Sequence, residues 1–351
     1  MKTDVLIIGG GLAGLGLARG LHAAGQEFLL LESRSRFGGR IKTENLKGGY
    51  YDMGPAWFWP GQPRMEALTN RLGLVRFDQH DMGDVIFEDE AGQVQRGRGY
   101  ASMQGSYRLQ GGMGVLTDAL ADALPNERKR LGVAVATLKK TDAGVVAVCR
   151  NGETIVAQRV VLALPPRLAA EQISFRPALP TGAAQAMRGI ATWMAGQAKC
   201  VAVYDTPFWR QAGLSGDAMS RRGPMVEIHD ASPAVGGPYA LFGFVGVPPQ
   251  SRKDAALLRD QSQRQLVRLF GPKAAHPCAL FIKDWAFDPN TATSLDRAPV
   301  YAHPQYGLPH AMHDLWDGAL LFGGSEVAVQ FGGYLEGALE AAANALQTLR
   351  N

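Results

Sequence analysis

Residues 5–14 read Val-Leu-Ile-Ile-Gly-Gly-Gly-Leu-Ala-Gly, and a helical pattern through Leu15, Leu17, Ala18 and Leu21 follows at once. An apolar run that opens into glycines at 9, 11 and 14 and then into a helix leaves few folds open. In a dinucleotide-binding βαβ unit, Gly9 permits the tight turn and Gly11 lets the backbone approach a pyrophosphate. Gly14 lets helix pack on strand. The helix N-terminus presents unpaired N–H groups and a partial positive charge to the phosphates. A second apolar run, Phe28 to Leu31, ends at Glu32, at the spacing where an acid accepts hydrogen bonds from a ribose. The chain holds 43 glycines, so the glycine spacing alone is weak; strand, helix, second strand and terminal acid together carry the assignment. No second fingerprint of this kind occurs, so no separate nicotinamide-binding lobe is expected. The stretch itself admits NAD or FAD, which share an adenosine diphosphate half.

Arg34 and Gly38-Gly39-Arg40 follow Glu32 directly, giving E-x-R-x-x-x-G-G-R. Paired glycines allow the backbone close to phosphates, and a guanidinium pairs with them through a planar fork of donors. On these residues the chain resembles the flavin-containing amine oxidases, the monoamine oxidase-like flavoproteins. The resemblance implies FAD held by Gly9, Gly11, Gly14, Glu32, Arg34, Gly39 and Arg40. It also implies an α/β fold: a Rossmann-like FAD-binding domain over 1–77, 106–168 and 295–351, interleaved with an α+β substrate domain over 78–105 and 169–294.

Composition narrows the partners. With 351 residues, 46% hydrophobic and 19% charged, the chain is ordinary for a globular protein able to bury a large core. No apolar run reaches membrane-spanning length, and the N-terminus lacks a signal-peptide design. A net charge of +4, with basic residues scattered apart from Arg128-Lys129-Arg130, gives no nucleic-acid surface. Cys149, Cys200 and Cys278 are odd in number and far apart, so neither a disulfide framework nor a metal site is expected, and a cytoplasmic home is. His303, His310 and His313 are loosely grouped, with nothing that fixes them as ligands.

Further along, Gly48 to Pro60 carries Trp57, Phe58 and Trp59 among Gly and Pro, which suits a loop lining a flat ligand; Trp57 fits a packed core equally well. Strands are predicted at Val85–Glu88 and 94–95 around the turn 89–92, where the larger amine oxidases place a long helical subdomain. A helix is predicted over Val115–Leu124. Strands follow at 133–138, 145–150, 155–157 and 160–164, then Pro165-Pro166, and a helix over 252–270.

By resemblance, Gly54 contacts the cofactor through its backbone, Val135 touches the adenine, Trp285 touches the flavin and Trp57 faces substrate. A match continued from Trp285 puts Ser294 and Leu295 where monoamine oxidases carry the flavin-tethering Cys and a cage Tyr. That implies non-covalent FAD and half an aromatic cage, with Tyr301 or Tyr306 as replacements. Near the C-terminus, Gly324-Ser325-Glu326 followed by Gly333-Tyr334-Leu335-Glu-Gly-Ala matches the family's closing motif. It implies cofactor contacts at Gly324, Ser325, Glu326, Gly333 and Leu335, a pocket wall at Phe331, and a substrate-facing ring at Tyr334.

Lys199 sits in Ala-Lys-Cys-Val-Ala-Val-Tyr, where period-2 alternation puts it on one face with Val201 and Val203. Taken alone it reads as an edge-strand lysine reaching water. The resemblance makes it the lysine that holds a water against the flavin's reactive nitrogen.

Three functions follow as alternatives. The first is oxidation of an amine with hydride transfer to FAD and reoxidation by dioxygen to hydrogen peroxide. The second is a desaturase, or an oxidase of a reduced nicotinamide or cyclic substrate, on the same scaffold. The third is a non-catalytic flavin-binding module.

Overall fold

The computed structural model describes residues 1–298, 300 and 302–350; Tyr301 therefore lies outside the described residues. Strand β1 (Lys2–Ile8), helix α1 (Leu12–Ala23) and strand β2 (Phe28–Leu31) form as the opening pattern predicts, with β1 parallel to β2. Alternate side chains enter two different cores. Val5, Ile7, Phe28 and Leu30 pack on one face, with the apolar side of α1. Leu6, Ile8, Leu29 and Leu31 pack on the other. A parallel sheet covered on both sides needs unbroken apolar strands, and each fully buried Leu or Ile contributes roughly 2 kcal/mol relative to exposure. Gly14 is required by packing: a Cβ there would stand 1.9 Å from the Gly9 carbonyl oxygen.

The first sheet runs 174–176, 135–141, 144–149, 154–162, β1, β2, 129–130. Here the sequence reading needs two corrections. The runs at 155–157 and 160–164 form one strand, Thr154–Leu162. Its first half pairs antiparallel with 144–149; beyond Ala157 that side is taken by Leu320–Phe322, parallel, while β1 covers the other side. Ser174–Arg176, placed by the expected division in the second domain, pairs with Thr137–Lys139 in the first sheet. The C-terminal helix Leu335–Arg350 lies on α1, close enough that a Cβ at Gly20 would meet Leu346 at 2.6 Å.

The second sheet runs 279–284, 198–204, 239–245, 225–230, 214–220, 84–88, 94–96, so the hairpin predicted around residues 89–92 joins this sheet. One face, with Ala198, Cys200, Ala202 and Tyr204, packs under helix Ala255–Phe270, which starts at the Asp254 cap and not at 252. The other face, with Val201, Val203 and Phe242, meets Tyr51, Met53 and Trp57. The Lys199 strand is central: Ala198–Tyr204 lies between 239–245 and 279–284 with all seven residues buried, which excludes the edge-strand reading. Among the described residues no helix is long and apolar enough to cross a membrane.

Candidate active site

A cavity of about 400 Å³ runs between the two sheets, from the glycine turn after β1 to Lys199 and Tyr334. Gly9, Gly11, Glu32, Arg34, Gly39 and Arg40 line one end. The N-terminus of α1 opens here with Gly11 as its cap, no side-chain cap and no acid in its first turn, so its N–H donors are left for a ligand. A Cβ on Gly11 would meet nothing nearer than 3.9 Å and would project into free space. Glu32 is 4% exposed. It accepts from the backbone N–H of Gly10 and Arg34, both at 2.8 Å, and from Ser33 Oγ at 3.2 Å. Donors for a pyrophosphate beside an ordered carboxylate for a ribose fit an adenosine diphosphate moiety.

The two arginines are arranged differently from the sequence expectation. The Arg40 fork grips the Glu326 carboxylate, at 2.6 and 3.1 Å, and Ser325 Oγ at 2.8 Å. Glu326 is fully buried and does not line the cavity. Both its oxygens are engaged, by Arg40 and by Ser325, which do line the space. Arg34 pairs with Asp288 and donates to Thr291 Oγ1 at 2.9 Å. Its fork is thus spent on Asp288 and Thr291.

Gly54, Trp57, Trp285, Gly324, Gly333 and Leu335 line the cavity with Lys199 and Tyr334; Gly14, Val135 and Phe331 do not. Gly14 acts behind the wall, as its contact with Gly9 shows, and Val135 is buried in the core on the Leu6 face of the first sheet. Phe331 meets this wall through its carbonyl, which accepts from the Tyr334 N–H at 3.0 Å.

Lys199 is 3% exposed, and Nζ donates to the carbonyls of Asp52 at 2.9 Å and Gly54 at 2.8 Å. Nζ stands 4.1 Å from the centre of the Phe242 ring and 5.5 Å from that of Trp57. Burial pushes the ammonium down to about 7; the Asp52 carboxylate opposes the shift and the Arg108 guanidinium adds to it. Trp285 Nε1 donates to the Met53 carbonyl at 2.9 Å, fixing the same loop from the other side.

Tyr334 is flanked by rings that sequence reasoning did not select. His303 stacks on it with centroids 5.0 Å apart and planes 16° apart, and Trp193 lies tilted at 6.2 Å. Trp193 lines the cavity, whereas Tyr306 turns away, its hydroxyl donating to the Ala191 carbonyl at 2.7 Å. Ser294 and Leu295 are exposed and do not line the cavity, so the match continued from Trp285 fails there. His229 was also missed. It is 1% exposed, held by Asp217 at 2.6 Å and Glu227 at 2.9 Å, with its ring edge-on to Trp57. Nothing in the local sequence marks Trp193 or His229, because the strands and loops that meet at Tyr334 and Trp57 are far apart in the chain. Among the described residues no cluster of His, Cys, Asp and Glu has a metal-holding arrangement.

The family profile described as "Flavin containing amine oxidoreductase" matches residues 12–102 and 87–348. The "Probable flavin-containing monoamine oxidase A" of Dictyostelium discoideum is 21% identical over 96% of this chain and 95% of its own length. The "Putrescine oxidase" of Kocuria rosea is 24% identical over 81% of this chain and 82% of its own. The alignment with the former spans 446 positions against a chain of 351, so the relative carries segments absent here. Among solved structures, wild-type putrescine oxidase bound to putrescine superimposes with a TM-score of 0.81 at 21% identity, covering 99% of this chain and 98% of that one. With the profile matching most of its length, this protein belongs to the flavin containing amine oxidoreductases, FAD-dependent oxidoreductases built on this fold.

Proposed function

We propose that the protein oxidises an amine to its imine, with FAD held without a covalent bond and dioxygen reduced to hydrogen peroxide. The observation that carries this is one cavity that joins a dinucleotide cradle to a buried lysine among aromatic walls. Bound flavin supplies the acceptor for the hydride that leaves the carbon next to nitrogen. The remaining tasks fall to the chain.

Glu32, Arg40, Ser325 and the α1 N-terminus hold the cofactor, as the sequence resemblance also implies for Gly9, Gly39, Gly54, Trp285, Gly324, Gly333 and Leu335. Trp57, Trp193 and Tyr334 orient the amine and exclude water. Lys199 is poised near neutrality, so Nζ can hold a proton or release it, and its positive form favours negative charge arriving in the cavity. Non-covalent attachment is supported by the placement of the cysteines: Cys149 and Cys200 are buried in cores away from the cavity and Cys278 is exposed. Free buried thiols also suit a reducing, cytoplasmic setting.

The amine we favour has an apolar body. Glu32 is the single acid among the described residues lining the cavity, and three donors already occupy it. A second ammonium would therefore enter without a partner.

The test is anaerobic: a panel of amines is added to the purified yellow protein and the flavin band is followed. Bleaching by an apolar amine, with hydrogen peroxide released on admitting air, is expected. Bleaching only by a reduced nicotinamide would move the protein to the second alternative, and no bleaching by any reductant to the third.

A further inference from the structure

Residues 288–291 stand at the adenosine end of the cavity although they follow directly on the second sheet, whose last strand is Ala279–Asp284. Three of them hold Ser33 and Arg34. Asp288 pairs with the Arg34 guanidinium, Thr291 Oγ1 accepts from it at 2.9 Å, and the Asn290 carbonyl accepts at 3.3 Å. Asn290 Oδ1, also 3.2 Å from Ser33 Oγ, shares with Glu32 the one proton of that hydroxyl. Asp288 is itself fixed by Lys283, at 2.5 Å, and by the Asn290 N–H at 3.0 Å. The segment is thus ordered from both sides, and it delivers Asn290 and Thr291 to the cavity wall beside Glu32.

The chemistry at that wall is unbalanced. Glu32 accepts only, Arg34 is turned toward Asp288, and Thr291 Oγ1, which accepts from Arg34, keeps a single proton to donate. The amide NH2 of Asn290 makes no hydrogen bond among the described residues, so it offers two donors where ribose oxygens and purine nitrogens are acceptors. We propose that Asn290 is a recognition residue for the adenosine half of the cofactor, and that Arg34 acts as a positioning residue that draws it there. This rests on the flavin-dependent reading above and deepens it: the second lobe supplies part of the adenosine subsite, so the cofactor fastens the two lobes together.

The test compares ligands that contain or lack adenosine. Apoprotein is titrated with FAD, ADP and riboflavin 5′-phosphate, for the wild type, Asn290→Ala and Arg34→Lys. Asn290→Ala is expected to weaken FAD and ADP about fivefold to tenfold, the effect of losing one or two hydrogen bonds, and to leave riboflavin 5′-phosphate unchanged. Arg34→Lys keeps the charge but loses the fork, and is expected to reproduce the same selective loss. Equal weakening of all three ligands, or wild-type affinity for FAD and ADP in Asn290→Ala, overturns the proposal. Failure of the wild type to bind any flavin overturns the functional reading instead, and this proposal with it. Asn290→Gln, which keeps the amide, separates recognition from folding: partial return of ADP affinity supports the assignment, and none with an unchanged melting temperature opposes it.

Discussion

The two ends of the cavity are built by opposite means. At the glycine end, the ligand-facing groups are backbone N–H donors and side chains locked by other side chains: Glu32 by Gly10 and Arg34, Arg40 by Glu326. At the far end, the walls are apolar rings, and the one charged group, Lys199, is tied to two carbonyl oxygens inside an aromatic box. A polar cradle suits the adenosine diphosphate half of FAD, whose phosphates and ribose are fixed hydrogen-bonding groups. On the function proposed above, the apolar box with its one lysine is the end that meets substrate.

The sharpest way to break this division is Gly11→Val. The new side chain would project into the space where phosphate is expected, and its Cβ meets nothing nearer than 3.9 Å. Flavin affinity should fall at least about 100-fold while the apoprotein melts within a few degrees of wild type. Equilibrium dialysis with calorimetry checks it; a yellow Gly11→Val protein would deny that this end is the phosphate site.

Lys199→Met acts at the other end. Flavin should remain bound, while its reoxidation by dioxygen slows about tenfold or more and its reduction by amine changes less. Stopped-flow measurement of the two half-reactions decides between this and a purely structural lysine, for which neither rate would move.

Tyr334→Ala should cost roughly tenfold in turnover without loss of flavin, since the ring orients substrate. His303→Ala should give a smaller part of the same defect, because its stacked ring holds Tyr334 and does not itself line the cavity. Steady-state kinetics with a substrate found in the amine panel will order the two variants. A larger effect from His303 would reverse their roles.

The smallest effect concerns stability. Lys199 titrates near 7 in the folded chain and at its ordinary 10.5 when unfolded, so between those values the unfolded state binds more protons. Stability should therefore rise with pH across that window, on the order of a few kcal/mol at most. The cost of the buried charge is fully present below about pH 7. Asp52 and Arg108, the charged groups that act on it, are buried as well. Urea unfolding at pH 7 and pH 9.5 should show a gain in the wild type that Lys199→Met lacks; parallel behaviour of the two proteins would place the titration elsewhere.

How far the sequence reached follows from the range over which each feature is encoded. The glycine turn, Glu32 and the hairpin at 89–92 are set by residues within a few positions of one another, so steric rules and periodicity are enough to find them. The alternation of Lys199 with Val201 and Val203 likewise gave the face. It could not give the strand's neighbours, and it is those neighbours, 239–245 on one side and 279–284 on the other, that bury the charge and lower its pKa. Glu326 was legible as an acid in a flavin motif, but its pairing with Arg40, 286 residues earlier in the chain, was not. Trp193, His229 and Asn290 carried no local signature, since each gains its role from a partner on another element: Tyr334, Trp57 and Ser33. By itself the sequence determined the family, the glycine turn and the faces of the strands, because backbone sterics and side-chain period act over short range. The tertiary structure alone decided which charges are neutralised, which lysine is dry and which rings meet, because desolvation and pairing depend on what the fold brings together.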